Sequence, residues 1–466
     1  MSRRPAVQIV LSFVCVMALA AAPRGQQEVR TGAPPEIRAL VDAVLKALDG
    51  DAAAWEAMAK ERFSADHLNK TTAGDRKELF EKIRKDFGKL TFERATREGP
   101  DAPLQLHVKG STGAIGSISL ELDGGSPPRI SNIKVAMGDQ AGEKGAAGVP
   151  PPPIHPQMTP DELARALDGY LSTLAAADVF SGVALVAKGD VPLFHQAYGF
   201  ADRANRIPNS VRTRFNLGSI NKTFTQVAIA QLVEQGRLAH TDTLEKFFPD
   251  YPQALSRSAT VQQLLSHRAG LADFFGPEFT REPKDRFRSN ADYFRFVSAR
   301  TPLFAPGARN QYCNGCYIAL GAIVERVSGV PYEQYVAEHV FKRADMTSTG
   351  YPQVDAIEPN VAIGYTRRTD DGQLKSNVYM HGAAGSAAGG GYSTATDLLA
   401  FAKAVRKGLF PGSEKGIGIA GGAPGINAIA ESNGDWTVVV LTNLDPPTGE
   451  QLGLAIMRAL EPKRRP

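Results

Sequence analysis

The stretch Phe215-Asn216-Leu217-Gly218-Ser219-Ile220-Asn221-Lys222-Thr223 runs directly into an apolar segment, Phe224 to Val233, that stops near Gly236. Apolar residues followed by a glycine terminator predict a helix. Ser219 and Lys222 then stand three residues apart at its start, a spacing that stacks both side chains on one face, so that an amine can reach the hydroxyl it must deprotonate. The partial positive charge of a helix N-terminus favours an alkoxide there, and burial favours the neutral, basic form of the lysine. The arrangement suits a serine nucleophile, although Ser219 taken alone reads equally well as a helix N-cap.

The pattern needs only two residue types, and it occurs again at Ser131-Asn132-Ile133-Lys134. That second match falls in a segment alternating with period two, a strand, where residues three apart point to opposite faces and cannot cooperate. A second element, Gln311-Tyr312-Cys313-Asn314, enters the apolar helix Tyr317 to Val327; among the twelve tyrosines only Tyr312 has an Asn two residues later. A phenolate near a lysine ammonium can shuttle a proton between nucleophile and leaving group, and an amide at 314 can bond both the lysine and a substrate carbonyl. By itself Tyr312 reads more simply as a core aromatic beside a helix cap.

In this order the two elements resemble the class C β-lactamase and penicillin-binding group, which also contains esterases and D-amino-acid peptidases. The flanks carry the resemblance further. Leu264-Leu265-Ser266-His267-Arg268-Ala269-Gly270-Leu271 is similar to that family's L-L-x-H-x-x-G-L segment, Pro306-Gly307 precedes the tyrosine element, and Gly389-Gly390-Gly391-Tyr392-Ser393-Thr394-Ala395-Thr396-Asp397-Leu398 is similar to its G-G-x-x-S-T-x-x-D-L segment, giving coverage from about Val183 to Asn443. The resemblance implies an α+β fold, an antiparallel sheet flanked by helices with an all-helical subdomain, and no cofactor or metal. It implies Ser219 as nucleophile, Lys222 and Tyr312 as proton carriers, and Asn314 at the substrate carbonyl. The family's third element, Lys-Thr-Gly or His-x-Gly on an edge strand, departs here: Ile419 stands where the cation or imidazole belongs, ahead of Gly421-Gly422. Gly421 and Gly422 can still provide backbone for an oxyanion hole, with the N–H of Gly422 as second donor beside that of Ser219. Lys415-Gly416 substitutes for the lost residue only if the register shifts. The segment from Asp397 to Gly418 is short for the family, implying a lost wall element. Weak recognition of substrate carboxylates follows, and a more open site suited to neutral esters or amides.

His267 invites a triad reading, but no serine elbow of the G-x-S-x-G type pairs with it, so a structural role is expected. His107, His195, His339 and His381 lack metal-ligand spacing.

At 466 residues the chain exceeds one ordinary core of ~150 residues. Ile37, Leu40, Val41, Val44, Leu45 and Leu48 mark an amphipathic helix, Trp55 with Met58 and Leu79 to Phe87 two more, and Leu104–Val108, Ile118–Leu122 and Ile133–Val135 alternate as strands. Residues 33–137 thus form a small α+β domain, resembling by pattern the cone-shaped nuclear-transport-factor-like accessory domains. A Gly/Ala/Pro-rich linker covers 138–157, and 158–462 form the hydrolase-like domain, opening with a helix at Leu163–Leu174 and a hairpin of Gly182–Ala187 and Pro192–Tyr198 about Lys188-Gly189-Asp190.

Arg3 and Arg4 precede the apolar run Ala6 to Ala22, with small residues at Ala18 to Ala20. The run is shorter than the roughly 20 residues of a spanning helix, so residues 1–22 read as a signal peptide and the protein as secreted or periplasmic, with no membrane span after cleavage. Cys15 leaves with that segment. Cys313 and Cys316 can close a short disulfide or stay buried as two small hydrophobes; the second is expected. A net charge of +4 without a basic block gives nucleic-acid binding no support. The partner expected is a small-molecule, peptide or other acyl substrate, and the activity expected is acyl transfer to water. The alternative is a binding module for wall peptides or other acyl ligands that lost turnover with the third element.

Overall fold

The computed structural model describes residues 34–97, 103–111, 115–137, 150–369, 372–411 and 417–461. The leader read at residues 1–22, most of the linker, and Lys415 with Gly416 lie outside the described residues. Contacts separate the chain between Ala146 and Ala147 into two units.

In the first unit the apolar stripe of α1, Pro35–Asp49, buries Ile37, Leu40, Val41, Val44 and Leu48. Helix α2, Ala52–Arg62, begins where Asp51 accepts a hydrogen bond from the Ala54 N–H at 2.8 Å, and it buries Trp55 and Met58. Short α3, Ala65–Lys70, leads to α4, Ala73–Phe87, opened by a Thr72/Asp75 capping box and closed by Gly88 at φ 68°. Their apolar faces share one core with the antiparallel meander β1 Leu90–Thr96, β2 Leu104–Gly110, β3 Ile115–Leu122 and β4 Ile130–Met137. The sequence reading anticipated three of these strands. β1 escaped it because, as an edge strand, it buries only Ala95. Ser131 and Lys134 lie in β4, the strand expected, but a register shift against β3 at Ser131 interrupts the expected alternation between them.

The second unit opens with α5, Pro160–Ala176, behind a Thr159/Glu162 capping box. The hairpin β5 Gly182–Lys188 and β6 Val191–Tyr198 turns at Gly189, whose φ of 59° suits glycine. A helical portion follows, chiefly α6 Asn221–Glu234, α7 Asn290–Ser298, α8 Asn314–Ser328 and α9 Ala395–Arg406. The chain then returns as β7 Gly418–Ala423, β8 Ile426–Asn433 and β9 Trp436–Thr442, and ends in α10, Thr448–Leu460.

These five strands form one antiparallel sheet in the order β7-β8-β9-β5-β6, with β9 paired to β5 from Trp436↔Lys188 to Thr442↔Gly182. Both central strands read as unbroken apolar runs because both faces are covered. Ala184, Val186, Val438 and Val440 pack with Leu167 and Leu171 of α5 and Leu452 and Ile456 of α10. Val183, Leu185, Val439 and Leu441 belong to the larger core built with α6, α8 and α9. This is the α+β layout expected, with β7 left as a sheet edge.

The cysteines require a correction. Cys313 and Cys316 are buried, as expected, but joined in a disulfide rather than lying as two thiols. Cys313 is the N-cap of α8 and Cys316 sits in its first turn, which brings their Cα atoms to 5.3 Å, inside bridging range.

Candidate active site

Ser219 lies in a 3₁₀ turn, Gly218–Ile220, immediately before α6, so Lys222 is the second residue of the helix. Residues three apart eclipse on a 3₁₀ turn, and Lys222 Nζ stands 3.1 Å from Ser219 Oγ. The turn is fixed from several sides. Gly218 adopts φ 51°, its N–H donates to Asn216 Oδ1 at 2.9 Å, and the N–H of Leu217 donates to the Gly391 carbonyl at 2.8 Å.

Lys222 is only 6% exposed, and burial lowers its pKa to about 7 against a smaller opposing pull from the Asp273 carboxylate. Its nitrogen has three partners, Ser219 Oγ, Asn314 Oδ1 at 2.7 Å and the Ala388 carbonyl at 2.6 Å, so that the neutral amine donates to the two carbonyl oxygens and turns its lone pair to the Ser219 hydroxyl. The Tyr312 hydroxyl reaches Ser219 Oγ from the other side at 2.6 Å, and Lys222 Nζ lies 4.8 Å from the Tyr312 ring centre. Desolvation raises the Tyr312 pKa, outweighing its bond to Ser219, so the surroundings hold it as a phenol and not as the standing phenolate of the sequence reading.

Asn314 is oriented by Asp273, whose carboxylate accepts from Asn314 Nδ2 at 2.8 Å and thereby turns the amide oxygen to the lysine. His267 stacks on the Tyr312 ring at 4.8 Å between centres, and its Nδ1 accepts the Cys313 N–H at 3.2 Å. It positions the tyrosine and touches neither Ser219 nor Lys222 through a hydrogen bond.

Strand β7 passes against the serine turn. A Cβ on Gly421 would lie 2.1 Å from the Leu217 carbonyl oxygen and 2.7 Å from Ser219 N, so only glycine permits the approach. Gly422 lines the same cavity as Ser219 and Asn314. Ile419, two residues before Gly421, packs its alkyl side chain against the main core. The structure therefore gathers Ser219, Lys222, Tyr312, Asn314, Gly421 and Gly422 in one place.

Asp273 and the Ala388 carbonyl were not anticipated. Asp273 follows the Gly270-Leu271 end of the flanking segment by two residues, a usable hint; a backbone carbonyl leaves no trace in residue type. Of the remaining histidines, His107 bonds Thr96, His339 lies tilted against Tyr335, and His381 lines the cavity beside Ser219. Among the described residues no group of three His, Cys, Asp or Glu is arranged to hold a metal ion. No described helix is long and apolar enough to cross a membrane.

Residues 167–415 match the family model described as Beta-lactamase. The chain is 30% identical over 183 residues to the beta-lactamase of Escherichia coli (strain K12), covering 39% of this chain and 46% of that protein; it spans about half the length of the curated relatives it matches. The crystal structure of a penicillin binding protein from Bacillus halodurans superposes with a TM-score of 0.56 at 30% identity, covering 61% of this chain and 98% of the other. A D-amino acid amidase from Ochrobactrum anthropi SV3 shares the fold at a TM-score of 0.52 and 20% identity, covering 65% of this chain and 99% of that one.

Proposed function

The chain belongs to the beta-lactamase family, and from that premise we propose that it is an exported acyl hydrolase working through an acyl-enzyme on Ser219. One observation carries the reading: a buried amine with a pKa near 7 lies 3.1 Å from the Ser219 hydroxyl, while a neutral phenol bonds the same oxygen from the other side. Neutral Lys222 takes the Ser219 proton as Oγ forms its bond to the substrate carbonyl carbon. The carbonyl electron pair moves to oxygen, where the N–H groups of Ser219 and Gly422 receive it. As the bond to the leaving group breaks, the proton passes from Lys222 through Tyr312 to the departing oxygen or nitrogen. Water then attacks the ester on Ser219, gives its proton to Lys222, and the carboxylic acid leaves as Ser219 is reprotonated.

Esters and amides without a carboxylate are the favoured substrates over β-lactams and D-Ala-terminated peptides, because Ile419 offers no charge to an anion. Catalytic roles fall to Ser219, Lys222 and Tyr312, with Asn314, Gly421 and Gly422 shaping the carbonyl site. We assign residues 33–137 to an accessory domain, 138–157 to a linker and 158–462 to the hydrolase domain. Export through residues 1–22 is in keeping with the Cys313–Cys316 disulfide, a bond that persists in oxidising compartments. The second reading, a binding module without turnover, draws on Ile419 and on the short segment from Asp397 to Gly418. Hydrolysis of p-nitrophenyl acetate by the purified chain, lost in Ser219→Ala, is the expected result; hydrolysis that survives the substitution contradicts the enzyme reading, and none in either protein leaves the binding module.

A further inference from the structure

A cavity of about 160 Å³ opens beside Ser219, walled by Phe274, Phe275, Tyr293, Val354, Ile363 and His381. Two features give it a side and a chemistry. Ser219, Asn314 and Gly422 border it, whereas Tyr312 does not and is 53% exposed. If Tyr312 delivers the proton to the leaving group, that group departs on the tyrosine's open side, and the part of the substrate that stays on Ser219 occupies the cavity. Among the described residues no Lys, Arg, Asp or Glu borders the cavity. Its titratable walls among those residues are His381, Tyr293 and Tyr392; burial lowers the pKa of the imidazole and raises those of both phenols, which keeps all three neutral. An anion placed here would give up water with no compensating charge. At the mouth, Phe275 is 44% and Val354 50% exposed, apolar surface that an apolar ligand would cover. For scale, an apolar cavity of about 150 Å³ accommodates benzene.

We infer that this cavity is the acyl pocket of the enzyme and that it selects an uncharged, apolar acyl group of about phenyl size, while the leaving-group side is open and permissive. The inference rests on the acyl-hydrolase reading and goes beyond it by fixing which half of the substrate is discriminated. The test compares p-nitrophenyl acetate, phenylacetate and hemisuccinate on the full chain and on Val354→Trp, a substitution at a half-exposed position that narrows the mouth. Expected are a kcat/KM for phenylacetate at least ten-fold above hemisuccinate, and in Val354→Trp a ten-fold or greater fall in the ratio of phenylacetate to acetate kcat/KM. Equal constants for phenylacetate and hemisuccinate, or equal losses of acetate and phenylacetate, overturn the pocket while leaving Ser219 chemistry standing. Saturation-transfer NMR on Ser219→Ala needs no turnover: phenylacetamide is expected to bind and succinamate not to, and equal signals overturn the pocket whatever the catalytic result.

Discussion

Ser219-Ile220-Asn221-Lys222 and Ser131-Asn132-Ile133-Lys134 share a four-residue pattern and nothing else. In the first, a 3₁₀ turn running into α6 eclipses positions i and i+3, and the amine meets the hydroxyl at 3.1 Å. In the second, the pattern lies in the extended backbone of β4, whose register against β3 shifts at Ser131, and the Ser131 carbonyl does a structural task, accepting a hydrogen bond from His67 Nδ1 at 3.1 Å. The pattern acquires chemistry only from the backbone beneath it and the burial around it.

The comparison breaks most sharply on the two serines. Ser219→Ala should lower kcat for an activated ester by at least about a thousand-fold, whereas Ser131→Ala should leave it within two-fold, as steady-state kinetics on both variants would reveal. If the backbone is what separates the two sites, disturbing it at the first should also be severe. Gly421→Ala places a methyl group 2.1 Å from the Leu217 carbonyl oxygen, so β7 and the serine turn must part. A displacement of this kind should cost about a hundred-fold in kcat. Circular dichroism on the same variant should still report the native secondary structure.

Burial is the other half of the difference, and pH reads it. Lys222 must be neutral to accept a proton, so kcat/KM should rise through a midpoint near 7; at pH 6 it should stand roughly ten-fold below its alkaline plateau. A flat profile between pH 6 and 8 would mean that the amine does not act as base. The smallest effect concerns Asp273. Its charge raises the Lys222 pKa, so Asp273→Asn should shift the midpoint downward, and loss of the charged acceptor for Asn314 should slow turnover by about ten-fold. A slower enzyme with an unmoved midpoint would assign Asp273 to packing alone.

What could be read in the sequence follows from how local the signal is. Ser219, Lys222, Tyr312 and Asn314 announce themselves through short spacings at helix starts, and the central strands through apolar runs. Asp273 and the Ala388 carbonyl reach the lysine's surroundings from 51 and 166 residues away in the chain, by loop geometry that no local pattern encodes. His381 was set aside for want of a metal-like spacing, yet it walls the cavity. The disulfide was missed because burial and bridging look alike in a C-x-x-C until the N-cap geometry of α8 is known. Strand β1 hid because an exposed edge strand carries little alternation.

We propose that the environment of Ser219, and not its motif, makes it a nucleophile. Timed labelling with a fluorophosphonate, read as intact mass and then mapped by peptide, tests it in one measurement. One adduct per chain is expected, on Ser219 and not Ser131, forming faster as pH rises through about 7 and abolished in Lys222→Ala. An adduct on another residue, or labelling of Ser219 at an unchanged rate in Lys222→Ala, would contradict it.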